Sequence, residues 1–253
     1  MATVNLHAMS ASPISNSNSN TQTERLALTL REWILKGEFS AGERLTELGL
    51  VSLLKTSRTP IRIALERLAN EGLLETIPTG GFRVRSFSTT DICDAIEIRG
   101  VLEGTAARFA AERLERVEEL ARVKRLLPRV ILENPISAEA FARFLDLNRT
   151  FHREVWALAK SPSLFRELEH ACKIPFAAPE ALVFTPADYE ESTAHVAAEQ
   201  HRAIVEAIEN REGSRAESIA REHSRIARRN LEATFRKNKE GACGLPGAAL
   251  VTH

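Results

Sequence analysis

The sequence has few cysteines and no long apolar segment. Its 253 residues include three cysteines, Cys93, Cys172 and Cys243, whose spacing matches neither a metal site nor a disulfide framework. No apolar run approaches the ~20 residues that a transmembrane helix needs, and the N-terminus lacks the basic region and apolar core of a secretion signal. These absences predict a cytoplasmic protein in a reducing compartment, with no membrane partner.

A surplus of positive charge is also missing. The chain has 34 Lys and Arg residues and 34 Asp and Glu residues, so its formal net charge is zero. This balance disfavours a protein that compacts DNA through bulk attraction to phosphates. Residues 20–85 nevertheless hold ten Lys or Arg against eight Asp or Glu. For a protein that reads DNA, the clustering of positive side chains on one face matters more than net charge.

Two helices joined by a tight connection are predicted within residues 45–74. Ser57 is placed to cap the second helix. The first turns of that helix expose Arg58, Thr59 and Arg62. The opposite face is apolar at helical spacing, with Ile61, Ala64, Leu65 and Leu68. One face of the helix can therefore pack while the other enters a major groove.

A β-hairpin is predicted after this helix. Gly72 ends the helix, and an apolar extended segment follows. The turn at residues 78–81, which includes Gly80 and Gly81, leads into a second alternating segment at residues 82–85. The whole pattern predicts a helix-turn-helix followed by a β-hairpin wing.

A likeness to a known family is carried by the segment SRTPIRIALERLANEGLLETIPTGGFRV, which resembles the winged-helix domain of GntR-type bacterial transcription regulators. A second segment, LREWILKGEFSAGERLTE at residues 30–47, is similar to the first helix and turn of that family. The likeness covers roughly residues 24–86. The sequence departs from the family pattern at Ile63, where an acidic residue is usual, and at Lys55, where glycine is common.

The resemblance implies which residues meet DNA. In the family, the residues that match Ser57, Arg58, Thr59 and Arg62 approach phosphates and base edges, and those that match the glycine turn approach the minor groove. We therefore predict a DNA-binding set of Arg31, Lys55, Ser57, Arg58, Thr59, Arg62, Gly80 and Gly81. An arginine can bridge O6 and N7 of guanine, so Arg58 and Arg62 are expected to read sequence. The alternative is that both arginines only solvate a helix face.

The chain divides into a winged-helix domain and an all-helical domain. With 43% hydrophobic residues, its length can supply two cores. We predict a disordered tail at 1–20, a winged helix-turn-helix domain at 21–87, an all-helical effector-binding and dimerisation domain at 91–236 and a flexible tail at 237–253. The fold class is therefore mainly α, with a small β-hairpin wing before a C-terminal helical bundle.

Three predicted helices of the second domain each direct a histidine at the core. Asn148 and His152 are four residues apart and share one helix face, while His201 and His223 lie on the apolar stripes of later helices. A single buried histidine is usually explained by a hydrogen bond to each ring nitrogen. Three that converge favour a metal site, and neutral imidazole prefers Zn²⁺, Ni²⁺, Fe²⁺ or Cu²⁺ to hard cations.

This histidine-bearing region resembles the FCD domain, the all-helical ligand-binding domain of the FadR subfamily. In metal-binding members, an Asp four residues before the first of three histidines completes the ligand set. The resemblance implies a divalent transition metal, such as Zn, Ni, Fe or Mn, held by Asn148, His152, His201 and His223. Asn148 stands where the family has Asp, and a neutral amide oxygen is a weaker ligand than a carboxylate for a dication.

Arg99 lies on an apolar stripe of the first helix of this domain. A guanidinium that faces a core requires an anion. Two partners satisfy it equally well: Glu103, one helical turn away, or the carboxylate of a bound effector. The segment also resembles the first FCD helix, whose Arg can lie at the effector pocket. We therefore predict an effector-binding set of Arg99, Glu103 and Asn148.

Together these features predict a transcriptional regulator, specifically a repressor, that binds a pseudo-palindromic double-stranded DNA operator as a homodimer. The FCD resemblance implies control by a small organic acid, a carboxylate effector, with metal assistance. The alternative is a metal-dependent enzyme that uses the three histidines, with the N-terminal domain as an interaction module. The sequence shows no paired acid and base beside those histidines and no nucleophile arrangement, so we predict that the protein is not an enzyme.

Overall fold

The structure, a computed structural model, describes residues 19–129, 138–179, 191–237 and 247–252. The chain forms two compact units, one of residues 1–86 with 246–251 and the other of residues 87–245 with 252–253. Most of the tail predicted at 1–20 lies outside the described residues, as do Cys243 and the start of the predicted C-terminal tail. Among the described helices, none combines the length and apolarity needed to cross a membrane.

The helices of the first unit are α1 (Ser19–Lys36), α2 (Glu47–Leu54) and α3 (Arg58–Asn70). Thr46 caps α2 by accepting a hydrogen bond from the backbone N–H of Gly49. α1 packs against α3, and each buries one apolar face whose residues recur at helical spacing: Leu26, Leu30, Ile34, Ile61, Leu65 and Leu68. The inward face predicted for α3 is confirmed.

A three-stranded antiparallel sheet completes the first unit. Its strands β1 (Arg44–Leu45), β2 (Leu74–Thr76) and β3 (Phe82–Val84) lie in the order β1-β3-β2, so β3 is central. β2 and β3 form the predicted wing. The sequence pattern does not predict β1, because two residues are too few to show an alternation of polar and apolar side chains.

The second unit is helical and contains α4 (Thr89–Arg113), α5 (Ala121–Leu126), α6 (Ala138–Leu158), α7 (Pro162–Ala171), α8 (Glu191–Glu209) and α9 (Gly213–Lys237). Two further short strands are β4 (Phe87–Ser88) and β5 (Val251–Thr252). Ser88 starts α4 with a capping box: its hydroxyl accepts from the backbone N–H of Asp91, and the Asp91 carboxylate accepts from that of Ser88. α4 therefore begins two residues before the predicted start at Asp91.

The C-terminal segment differs from the flexible tail expected at 237–253. The backbone N–H of Gly247 donates to the carbonyl of Leu35 at 2.6 Å, and Leu250 is fully buried. Gly37 has φ of 80°, and a Cβ at this position would lie only 2.8 Å from Cβ of Ala249. This segment packs on α1 although it is too short to show a periodic pattern.

Among the described helices of the second unit, α4 and α9 make the most extensive contact with each other. A Cβ on Gly100 would lie 2.1 Å from Oγ of Ser224, and a Cβ on Gly104 would lie 2.6 Å from Cγ of Arg221. The missing side chains therefore allow the two helix backbones to approach closely. On α4 these glycines directly follow Arg99 and Glu103 in the sequence.

A largely apolar core surrounds a small set of buried polar groups. Its main cluster includes Ala107, Val123, Phe151, Ile208 and Ala220, which come from five different helices. Among the described residues of the second unit, the buried polar groups are Arg99, Glu103, Asn148, His152, His201, His223 and Ser224. Because polar groups are rarely buried without a partner, this set marks the candidate site.

Gly100→Ala is expected to lower the free energy of unfolding by about 1–3 kcal/mol, because the added Cβ overpacks α4 against α9. Urea unfolding followed by circular dichroism measures the change. Ser224→Gly removes both side-chain atoms closest to the new Cβ, so a double-mutant cycle should show favourable coupling. Equal stability of Gly100→Ala and the parent would contradict the close approach of the two helices.

Candidate functional sites

The exposed face of α3 carries the side chains predicted to read DNA. Arg58, Thr59 and Arg62 are exposed, and the opposite face of the helix is buried. Ser57 takes the predicted N-cap position with extended backbone. Its side chain makes no capping hydrogen bond, however, within the region that the structure describes. The predicted exposure of the arginine face is confirmed, whereas the expected capping bond of Ser57 is absent.

Carboxylates orient both arginines that are predicted to read DNA. Nε of Arg58 forms an ion pair with Glu47 at the start of α2, and Nε of Arg62 lies 2.9 Å from Oε1 of Glu66, one turn along α3. The two arginine side chains stay 68% and 65% exposed. Exposed ion pairs contribute little free energy, so DNA phosphates or base edges can replace them. Sequence reasoning missed Glu47, because its contact with Arg58 joins two different helices.

Two other predicted DNA contacts have distinct local roles. Arg31 of α1 donates from Nε to Glu71 at 3.1 Å and so joins α1 to the end of α3. Lys55 is exposed and has φ of 48°, a left-handed conformation that favours glycine. This backbone angle gives a physical reason for the glycine that the family commonly has there. The DNA contacts of both residues remain predictions.

The wing tip is formed by the two glycines that the sequence singled out. Gly80 and Gly81 have φ of 93° and 91°, which side-chain-bearing residues rarely adopt. Nη2 of Arg44 donates to the carbonyl of Gly80 at 2.7 Å. Arg44 of β1 also lies opposite Arg83 of β3, so two cations lie side by side where the wing joins β1. Sequence reasoning missed Arg44 because β1 shows no pattern.

Three histidines from separate helices meet in the second unit. His152 is in α6, His201 in α8 and His223 in α9, and all three are buried. Ring centroids lie 5.4 Å apart for His152 and His201, 5.3 Å for His152 and His223, and 4.4 Å for His201 and His223. One ring nitrogen from each lies within 4.8 Å of the other two. The predicted convergence is confirmed.

The polar partners of these rings leave several nitrogen atoms unused. Nδ1 of His152 lies 2.9 Å from Oε1 of Glu103, and Nδ1 of His223 lies 3.1 Å from Oε1 of Gln200. Neither contact involves the Nε2 atom of its histidine ring. His201 is 2% exposed, and neither of its ring nitrogens has a hydrogen-bond partner among the described residues. A buried polar group without a partner is unfavourable, so His201 indicates a ligand.

Asn148 lies one turn before His152 on the buried face of α6. Its Nδ2 donates to the backbone carbonyl of Pro179 at 2.9 Å. Because a carbonyl can only accept, this bond fixes which end of the amide faces Pro179 and leaves Oδ1 to face elsewhere. An aspartate could not donate this bond. The departure from the family Asp therefore exchanges a negative charge for a link between α6 and the segment after α7.

Arg99 and Glu103 form a buried pair on α4. Nε of Arg99 lies 3.9 Å from Oε2 of Glu103, so the internal partner is present at a long distance. In the described part of the chain, neither Nε of Arg99 nor Oε2 of Glu103 has a hydrogen-bond partner, and Oε1 of Glu103 has only its contact with Nδ1 of His152. Burial by itself raises the pKa of Glu103, but Arg99, His152 and His223 outweigh burial and lower this pKa to about 2. Glu103 is therefore an anion at neutral pH.

The electrostatics of the histidine cluster suit a metal. Burial, with smaller contributions from His152 and Arg99, lowers the pKa of His223 to about 3, although Glu103 opposes the shift. Burial and the two neighbouring imidazoles lower the pKa of His201 well below its usual range. Both rings are therefore neutral at pH 7 and keep the lone pair that a metal ion needs. The three adjacent rings and the unpaired nitrogens of His201 fit a divalent transition metal.

Comparison with known families assigns one domain to each unit. The model of bacterial regulatory proteins of the gntR family matches residues 22–84. The model of the FCD domain matches residues 94–225, which include the three histidines, Asn148, Arg99 and Glu103. The two matches therefore cover both candidate sites.

Similar proteins include transcriptional regulators. The "Nta operon transcriptional regulator" of Aminobacter aminovorans is 36% identical over 129 residues, which are 51% of this chain and 59% of that regulator. The "Probable D-xylose utilization operon transcriptional repressor" of Paenarthrobacter nicotinovorans is 32% identical over 190 residues, which are 75% of this chain and 80% of that repressor.

Solved structures share the fold. Escherichia coli McbR/YncC is 22% identical with a TM-score of 0.56, covering 85% of this chain and 98% of that one. A GntR protein from Rhodococcus sp. RHA1 is 21% identical with a TM-score of 0.56, covering 85% of this chain and all of that one. At these identities the likeness shows the architecture alone.

Arg58→Ala and Arg62→Ala should each weaken binding to a specific DNA site by about 1–3 kcal/mol and relax base preference. Arg67→Ala is the matched control, since Arg67 also lies on α3 and is 50% exposed but pairs with Glu71 near the far end of the helix. Fluorescence anisotropy at one fixed salt concentration compares the variants. Unchanged affinity of both Arg58→Ala and Arg62→Ala would show that α3 is not the reading helix.

The lowered histidine pKa values predict acid destabilisation of the metal-free protein. As pH falls below about 6.5, His223 becomes protonated in the unfolded chain. In the folded chain it stays neutral until about pH 3. The free energy of unfolding therefore decreases across that window. His223→Leu removes one such group, so urea unfolding in chelator should show a smaller decrease between pH 7 and pH 5 than in the parent. Equal decreases would contradict a neutral, buried His223.

Proposed function

Because the chain belongs to the gntR family of bacterial regulatory proteins and carries an FCD domain, it is a DNA-binding transcriptional regulator, and we propose that it is a repressor controlled by an organic acid. One observation supports this proposal above the others. An exposed arginine face lies in one unit, and a buried polar site with unpaired nitrogen atoms lies in the other. The first suits an operator and the second suits an effector.

Operator binding is proposed to use α3 and the wing together. Arg58 and Arg62 would reach base edges in the major groove, while Gly80 and Arg44 at the wing tip would approach the minor groove. A single α3 reads few base pairs. We therefore propose a homodimer that places two copies of α3 on a pseudo-palindromic operator. A protein with this task acts on the bacterial chromosome, in the cytoplasm.

The effector is proposed to be a small carboxylate that binds near Arg99. The Arg99 side chain is 1% exposed, and its Nε is 3.9 Å from the Glu103 oxygen that could satisfy it. A guanidinium forms two parallel hydrogen bonds with a carboxylate, which the long internal pair does not supply. The unpaired Nε of Arg99 is thus the main support for an anionic effector.

A divalent transition metal is proposed to assist the effector. His152, His201 and His223 would hold it, and Oδ1 of Asn148 would add a neutral fourth donor. When bound, such an ion acts as a Lewis acid that holds an oxygen atom of the effector. Glu103 contacts Nδ1 of His152, so it would fix that ring and leave Nε2 for the metal.

Control of DNA binding requires an effector that prefers one of two arrangements of the protein. A ligand with equal affinity for the DNA-competent and DNA-incompetent arrangements would shift nothing. Arg99 and Glu103 lie on α4, whose first residue Thr89 is three residues beyond the end of the first unit's main segment. An effector seated on Arg99 would therefore act on the helix through which the chain leaves the DNA-binding unit.

The enzyme alternative gains no support from the comparisons. Both relatives named above are regulators. Turnover of an organic acid by the purified protein, abolished in His201→Ala, is the result that would restore it.

Selection of bound fragments from the source genome at physiological salt tests the proposal. A short pseudo-palindrome that stays enriched at this salt concentration indicates sequence reading, because attraction to phosphates weakens as salt rises. Genes beside the enriched sites would suggest organic acids, and these can be added to the purified complex. A change in operator affinity with one acid, absent in Arg99→Met, would support control at the buried site. Enrichment of no motif would contradict the regulator's proposed operator.

Removal of His201 should abolish stoichiometric binding of Zn²⁺ or Ni²⁺, because this ring has no competing partner among the residues described. His195→Ala is the matched control, since His195 also lies on α8 but is exposed. Asn148→Asp should bind the metal more tightly, because a carboxylate adds charge to the ligand set. Isothermal titration calorimetry with a competing chelator measures the metal affinity of the parent and the three variants. Equal affinity in His201→Ala and the parent would show that His201 is not a metal ligand.

A further inference from the structure

Ile63 is an apolar exception on the exposed face of α3, a helix that the structure describes completely. It is 47% exposed, although Ile61 and Ala64 beside it are fully buried. The other exposed residues of this helix are polar: Arg58, Thr59, Arg62, Glu66, Arg67 and Asn70. On a surface proposed to contact DNA, an apolar side chain is buried favourably against an apolar group of the DNA.

We propose that Ile63 determines operator specificity by contacting the 5-methyl group of a thymine in the major groove. The inference rests on the proposed binding of an operator by α3. In the major groove, the methyl group of thymine is the apolar feature that distinguishes it from cytosine, which presents an amino group instead. An isoleucine cannot hydrogen-bond to an amino group, so it favours thymine at the base pair that it touches.

The geometry of α3 places Ile63 beside the reading arginines. Ile63 lies one turn after Thr59, so the two side chains share a face. It is the next residue after Arg62, from which it is turned by about 100° around the helix axis. Arg62 and Ile63 would therefore address neighbouring base pairs. Arg62 would read guanine through two hydrogen bonds, and Ile63 would read a methyl group next to it.

The ion pairs on this face strengthen the preference for an apolar partner. Glu66 is three residues after Ile63 and is the carboxylate nearest to it along the exposed face of α3. Its Oε1 lies 2.9 Å from Nε of Arg62. A free carboxylate would accept a hydrogen bond from the amino group of cytosine and would compete with the reading by Ile63. The pair uses Nε of Arg62 and leaves both Nη groups for guanine, so Glu66 can stay paired while Arg62 reads DNA. Ile63 then sets the preference at this position.

The expected effect is small and specific. Burial of one methyl group changes a binding constant by about fourfold, much less than the loss of an arginine that makes two hydrogen bonds. Ile63 would therefore determine which base is preferred at one position of each half-site. It would contribute little to the overall affinity for DNA.

Deoxyuridine substitution isolates the methyl group. Deoxyuridine forms the same base pair as thymidine but lacks the 5-methyl group. In the operator selected by the full-length protein, each thymine is replaced in turn by deoxyuridine, and affinity is measured by anisotropy. The parent should lose about fourfold at one thymine of each half-site. Ile63→Ala should bind the thymine operator about fourfold less tightly and should show no further loss when deoxyuridine occupies that position.

Two other variants of Ile63 sharpen the test. Ile63→Val keeps a branched apolar side chain and should retain a measurable penalty for deoxyuridine. Ile63→Glu should change the selected base at this position from thymine to cytosine, because a carboxylate accepts from the cytosine amino group.

Val117→Ala is the matched control, because Val117 is also β-branched and is 48% exposed but lies in the second unit. It should keep the full penalty for deoxyuridine. Equal penalties in the parent and Ile63→Ala at every thymine would overturn the inference while the operator itself stands. A selected motif without a preferred thymine would overturn it as well. Failure to select any motif would overturn both the proposed operator binding and this inference.

Discussion

The close contact between α4 and α9 is the constraint on which the buried site depends. Two glycines, Gly100 and Gly104, allow it, because a Cβ on either would collide with side chains of α9. Each glycine follows a charged residue of the site, Arg99 or Glu103, and Ser224 at the contact follows His223. The backbone approach that the glycines permit is therefore the same approach that brings the guanidinium, the carboxylate and an imidazole together.

Charge inside this site is balanced but incompletely paired. Glu103 is an anion that Arg99 and His152 stabilise, yet its Oε2 and the Nε of Arg99 have no hydrogen-bond partner among the described residues. His201 is neutral, and its ring nitrogens also lack a partner among the described residues. A core that evolved only for stability would satisfy these groups or replace them with apolar side chains. Their persistence is the physical argument that the site is built for a ligand.

The surface of α3 that is proposed to read DNA follows a different rule. Its arginines stay exposed and are oriented by weak ion pairs with Glu47 and Glu66, which DNA can displace at little cost. This arrangement would allow a chain of zero net charge to read DNA, because the positive groups are few, local and oriented. The first unit therefore presents groups that exchange partners readily, whereas the second unit buries groups that lack partners.

The amino-acid sequence by itself determined the features that depend on local periodicity and turn chemistry. These are the two faces of α3, the glycine turn of the wing and the inward direction of three histidines. The tertiary structure alone decided β1, the packing of Leu250, the missing capping bond of Ser57 and the bond from Asn148 to Pro179. It also decided that the Arg99–Glu103 pair is long and that His201 is unpaired. A repeating pattern reports which way a side chain points, but hydrogen bonds depend on distances between residues far apart in the chain, which only the packed fold sets.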